Sequence, residues 1–137
     1  MAPNFSFLTI TKIGYKLINA RSETAAKKPS FRHAFKSKRC LIVADGFYEW
    51  QAINGKKQPI FITLPDEKPF GFAGLWEMWQ PKNTDKNDTI QSCTILTTDA
   101  SQPISQIHNR MPEILLPDAY EIGWIRTTKM SRPCRRS

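Results

Sequence analysis

The chain has 137 residues, with 20 basic against 12 acidic side chains for a formal net charge of +8, and 40% of its residues are hydrophobic. That length favours one domain with a modest core, and the basic excess fits a polyanionic partner, chiefly nucleic acid, and equally a basic surface that merely aids solubility. No apolar run is long enough for a membrane-spanning helix and the start lacks a secretory signal pattern, so the expected location is cytoplasmic, or at the nucleoid if DNA-bound. Cys40, Cys93 and Cys134 are odd in number and show no Cys-x-x-Cys spacing. This argues against a disulfide framework and a zinc site, and neither metal nor cofactor is expected.

In chain order, Phe5 to Ile10 alternates loosely and reads as a strand. Ser22 to Lys28 reads as a short helix capped by Ser22 and limited by Pro29, and Ser30 to Lys38 as a second with its basic face outward. Cys40 to Ala44 is an apolar run of strand length. Phe47, Tyr48 and Trp50 continue it after a bulge at Gly46. Asn54-Gly55 signals a hairpin turn, with Gln58 to Leu64 returning. Pro69 to Leu75 and Thr89 to Thr98 are two further strands, separated by a polar loop, Gln80 to Asp88. Pro117 to Trp124 fits a helix with proline in its first turn. Strands dominate the middle, and an α+β domain with a largely antiparallel, curled sheet follows. Arg126 to Arg136 reads as a basic, disordered tail.

Three short segments carry the chemistry. In Asn19-Ala20-Arg21, the asparagine can donate and accept hydrogen bonds to a sugar or aldehyde oxygen, and the arginine offers a permanent charge with a planar fork for phosphate. A turn asparagine and a salt bridge from Arg21 to Glu23 or another surface acid are the structural alternatives. Glu49 stands among Phe47, Tyr48 and Trp50, where desolvation would favour the protonated carboxyl and suit acid–base work. Simple alternation would instead place it on the solvent face. His108 titrates in a range suited to proton transfer, although it could equally be a loop histidine bonded to backbone. His33 reads as structural or exposed. Arg110, two residues beyond His108, can face the same way in extended chain and is a candidate phosphate ligand or a surface charge. Trp50, Trp76 and Trp79 could stack on unpaired bases, with core packing expected for Trp76 and for one of the other two.

These segments, Lys16 to Thr24, Asp45-Gly46-Phe47-Tyr48-Glu49-Trp50 and His108-Asn109-Arg110-Met111-Pro112, with Phe72 to Trp76 and Thr94 to Thr98, resemble the SOS response-associated peptidase (SRAP) family of abasic-site DNA–protein crosslinking proteins. The resemblance covers about Thr11 to Leu116 and implies a β-rich SRAP-like domain over residues 11–125, after a divergent 1–10 segment and before the 126–137 tail. It implies that Glu49 and His108 act as an acid–base pair, with Asn19 also catalytic and near the sugar-derived group. Arg21, Asn19, Arg110, Thr97 and Trp50 would contact single-stranded DNA carrying an abasic site.

The resemblance also implies a nucleophile. Family members begin Met-Cys-Gly, lose the methionine, and close a thiazolidine on the abasic aldehyde through the cysteine amine and thiol. Here the start is Met1-Ala2-Pro3, and the chain resembles the middle of such a domain with a divergent C-terminus. Crosslinking is therefore expected to be impaired, and an incomplete sheet to be marginally stable. A non-catalytic module for damaged or single-stranded DNA, or an inactive gene remnant, is the alternative.

Overall fold

The computed structural model describes residues 17–80 and 89–120. The expected strand at Phe5 to Ile10, nearly all of the 80–88 loop and the 126–137 tail lie outside them. The elements are β1 (Asn19–Arg21), α1 (Ser22–Ala25), α2 (Arg32–Ser37), β2 (Arg39–Ala44), β3 (Phe47–Ile53), β4 (Lys56–Ile62), β5 (Phe70–Trp79), β6 (Ile90–Asp99), β7 (Arg110–Pro112) and β8 (Ile114–Leu115). A 3-10 turn occupies Ile104–Gln106, and residues 117–120 are helical. The fold is α+β, strand-dominated and largely antiparallel, as the sequence implied. No described helix is long and apolar enough to cross a membrane.

The larger sheet runs β1-β6-β5-β2, and β3 and β4 form a separate hairpin. Among the described strands only β1 is parallel to its neighbour: Asn19, Ala20 and Arg21 lie opposite Ile95, Leu96 and Thr97. The sheet opens where β5 and β6 part. Before Gly74, at Gly71 and Phe72, β5 pairs with β8 instead of β6, and from Thr97 β6 pairs with β7. Glu113 bridges the split, receiving the Ala73 amide at 2.8 Å and donating its own to the Leu96 carbonyl at 2.8 Å. This wedge holds the Arg110 strand beside β1.

Small residues let the helices close on the sheet. Ala20, Ala25, Phe31, Ala34, Leu75 and Leu96 form the buried core, with Leu75 only 2% exposed. A second apolar group joins the hairpin to the sheet: the Phe72 ring meets Phe47 edge-on at 5.7 Å and Phe70 at 5.2 Å.

Several local expectations are corrected. Arg21, in extended conformation, is the cap residue of α1, because strand β1 runs directly into the helix; Ser22 does not cap it. That helix ends at Ala25, well before Pro29, and the chain turns into α2. Asp45-Gly46 is no bulge in a continuing strand but a crossing between sheets, since β2 pairs with β5 and β3 with β4. Gly46 is required there: a Cβ would stand 2.4 Å from Phe61 Cζ and 2.8 Å from the Ile62 carbonyl oxygen. Asn54 and Gly55 have φ of 51° and 75°, the left-handed pair that a tight hairpin turn needs. Strand β5 runs on to Trp79, past Leu75, where β2 stops pairing. That overhang explains why Trp76 is 37% exposed and not in the core. Trp50 and Trp79 are exposed as well.

Candidate active site

A cleft of about 350 Å³ is lined by Asn19, Ala20, Arg21, Glu49, Thr97, His108, Arg110, Met111 and Pro112. These residues come from β1, β3, β6, the loop before β7, and β7 itself. The β1–β6 register sets the first contacts, because Arg21 is directly opposite Thr97. Ala20 is buried between them, so the alternation of β1 leaves Asn19 and Arg21 exposed on the other side. The Thr97 hydroxyl donates to the Ala20 carbonyl at 3.5 Å, and Thr94 Oγ1 donates to the Leu17 carbonyl at 2.7 Å.

Glu49 reaches the cleft from the hairpin. Along β3 half-buried and exposed residues alternate: Phe47, Glu49 and Gln51 face one way, Tyr48 and Trp50 the other. The Phe47–Phe72 contact fixes which way, and it turns Glu49 inward. The same alternation keeps Trp50 out of the cleft, 56% exposed on the outer face beside Tyr48, whose ring lies 4.9 Å from Phe61.

His108 follows the 3-10 turn, where its amide donates to the Ile104 carbonyl at 3.0 Å. Its ring is held by the main chain of Arg110: Nδ1 lies 3.0 Å from the Arg110 carbonyl oxygen and 3.1 Å from the Arg110 amide nitrogen. The amide can only donate and the carbonyl only accept. Nδ1 therefore has a partner whether it is bare or protonated.

Arg110 is the most constrained side chain here. Its Nη1 donates to Glu23 Oε1 at 2.7 Å and to Asp99 Oδ1 at 2.6 Å. Its Nη2 donates to Glu23 Oε2 at 3.1 Å, to the Thr97 carbonyl at 2.5 Å and to Thr97 Oγ1 at 3.2 Å. Among the described residues Nε has no partner. The hydrogen bond from Arg110 holds the Glu23 carboxyl below its ordinary value, and Glu23 in turn raises the already high Arg110 value. The sequence offered Glu23 only as an alternative partner for Arg21; across the fold Glu23 pairs with Arg110. Asp99 was not singled out, and no local signal marks it, because its role comes from lying opposite Arg110 in the β6–β7 ladder. His33 lies outside the cleft, exposed on α2.

The cleft therefore gathers an amide, an exposed guanidinium, a carboxylate, a hydroxyl and an imidazole around one space. Cys40 is the opposite kind of group: burial, reinforced by Cys93, pushes its thiol up from 9.0 to about 11.

The model of the family "SOS response associated peptidase (SRAP)" matches residues 1–136. The abasic site processing protein YoqW of Bacillus subtilis is 48% identical over 115 residues, which are 83% of this chain and 50% of that protein. The abasic site processing protein HMCES of Xenopus tropicalis is 37% identical over 133 residues, covering 84% of this chain and 39% of that protein. The chain spans about half the length of such relatives. A crystal structure of a protein from Bacteroides thetaiotaomicron superposes with a TM-score of 0.77 at 30% identity, over 90% of this chain and 56% of that one. The motifs, the fold and these matches agree: the chain belongs to the SOS response-associated peptidase (SRAP) family.

Proposed function

We propose that this chain engages single-stranded DNA at abasic sites, seating the ring-opened sugar in the cleft between β1, β3 and β6. Asn19 hydrogen-bonds the sugar-derived oxygen and Arg21 takes the flanking phosphate. Glu49 and His108 move protons to and from the aldehyde oxygen and the attacking amine, and Thr97 supplies a hydrogen bond beside them. Exposed Trp50 is available to stack on a neighbouring base. The observation that supports this reading is the convergence of Asn19, Arg21, Glu49, Thr97 and His108, distant in sequence, on one cleft. The net charge of +8 is of the sign that a phosphate backbone requires. The domain proposed to do this is residues 11–125.

Where a protein amine reaches the aldehyde in the cleft, it condenses with it, losing water to give an imine. That imine is reversible until borohydride reduces it to an amine.

The test is a denaturing gel of the chain incubated with a single-stranded oligonucleotide bearing one abasic site, with and without borohydride. A band in the borohydride lane is expected, and one that also survives without reductant would show a lasting crosslink. No adduct in either lane, with salt-sensitive binding retained, would favour a non-catalytic DNA-binding module.

A further inference from the structure

We propose that the outer surface of α1 and α2 is a second nucleic-acid surface, on the side of the sheet away from the cleft. There Lys28, Arg32 and Lys36 hold the phosphodiester backbone of DNA without regard to sequence. This contact needs no abasic site.

Charge is the first observation. Between Glu23 and Asp45 the chain has no acidic residue and six basic ones: Lys27, Lys28, Arg32, Lys36, Lys38 and Arg39. Glu23 and Glu77, which adjoin this segment, are already engaged, by Arg110 and by Lys38. Lys27, Lys28, Arg32 and Lys36 are exposed and make no ion pair among the described residues. Like charges four residues apart on a helix repel. Among the described residues no anion offsets that repulsion here, and an external polyanion would.

Spacing is the second. The Arg32 amide donates to the Lys28 carbonyl at 2.8 Å, so a helical turn already runs from Lys28 into α2. Lys28, Arg32 and Lys36 then recur every four residues, a rise of about 6 Å each time. Phe31 and Ala34 on the inner side are buried, and Phe35 is half-buried against the core. A row of single charges at near-even intervals matches a phosphodiester chain, which carries one charge per nucleotide. A membrane-surface helix must instead leave an apolar face free to enter lipid, and the apolar face of α2 is buried in the core.

Position is the third. Ala25 of α1 and Ala34 of α2 share the core with Leu75, Leu96 and Ala20. The neighbours of Ala20 on β1, Asn19 and Arg21, face the other way and line the cleft. The sheet therefore stands between the row and the cleft, and a strand held by the row leaves the cleft open.

The experiment uses the full chain, an Arg32→Gln/Lys36→Gln variant, and Lys56→Gln/Lys68→Gln as a control that removes equal charge from exposed side chains elsewhere. Circular dichroism checks that each folds. Binding of an undamaged single-stranded oligonucleotide is followed by fluorescence anisotropy against salt. Arg32→Gln/Lys36→Gln is expected to lower the salt slope by about 1.4, at roughly 0.7 per phosphate, and the control to leave it unchanged. Equal slopes for the two variants would overturn the proposal. Should Arg32→Gln/Lys36→Gln not fold, Lys28→Gln decides, with an expected drop of about 0.7 and no drop overturning the proposal. In a second arm the cleft is first filled with a short abasic oligonucleotide fixed by borohydride. That adduct is expected to bind a labelled undamaged strand at least tenfold more tightly than the same adduct of Arg32→Gln/Lys36→Gln, and an adduct that binds no second strand would overturn the separate surface. If no adduct forms, the failure belongs to the reading of the cleft, and the salt arm still judges this surface. Binding to phosphatidylserine vesicles that Arg32→Gln/Lys36→Gln abolishes, with oligonucleotide binding untouched, would assign the surface to a membrane and overturn the proposal.

Discussion

Replacing Leu75 with alanine tests the link between the core and the cleft. Leu75 is 2% exposed and packs among Ala20, Ala25, Phe31, Ala34 and Leu96. Truncation removes three methylene-sized groups, a transfer loss of about 2–3 kcal/mol at roughly 0.8 kcal/mol each. The neighbours cannot collapse easily, because three of them are alanines and Leu96 is anchored in the β6 ladder. A residual cavity then brings the expected loss to about 3–4 kcal/mol, a large part of the stability of a small domain. Urea unfolding followed by tryptophan fluorescence and circular dichroism would measure it, with Leu116→Ala as a control, since Leu116 is 65% exposed and should change little. The void would lie under Ala20 and Leu96, whose neighbours Asn19, Arg21 and Thr97 line the cleft, so DNA binding should weaken in native buffer as well. A loss below about 1 kcal/mol, or one equal to that of Leu116→Ala, would refute the packing argument.

Gly46→Ala should destabilise by about 1–3 kcal/mol and reduce imine trapping, because the new Cβ meets Phe61 Cζ at 2.4 Å and the Ile62 carbonyl oxygen at 2.8 Å and pushes the Glu49 hairpin outward. Gly55→Ala, with open space but φ of +75°, should cost about 1 kcal/mol with trapping unchanged; equal trapping losses would contradict this. The folded-state value of Glu23 is depressed, chiefly by the Arg110 hydrogen bond, so its stabilisation is complete above the unfolded value near 4.5 and fades as pH falls through the lower folded value. Melting temperature against pH should therefore drop on the acid side in wild type and drop less in Glu23→Gln, and parallel curves would refute the coupling. Burial raises the Cys40 thiol from 9.0 to about 11, leaving about a hundredfold less thiolate at pH 8 than an ordinary cysteine. Iodoacetamide followed by peptide mass spectrometry should label exposed Cys93 long before Cys40; equal rates would show that Cys40 is not shielded.

Sequence alone decided what is local or periodic. The Asn54-Gly55 turn, the apolar strand runs and the strand-dominated class were all readable, because a left-handed turn needs particular residues and a half-buried strand needs alternation. The candidate residues Asn19, Arg21, Glu49, Thr97 and His108 were readable too, through the family resemblance of the segments that carry them. What only the tertiary structure decided was direction and partnership. Alternation along β3 allowed Glu49 to face either solvent or the sheet, and the Phe47–Phe72 contact chose the sheet, leaving Trp50 outside. Glu23 lies two residues from Arg21, yet its partner is Arg110, brought in when the 110–115 segment wedges between β5 and β6. Asp99 acquires its place only from the register of that wedge. Pairings between residues 87 positions apart arise from sheet topology, and no local pattern in the chain encodes them.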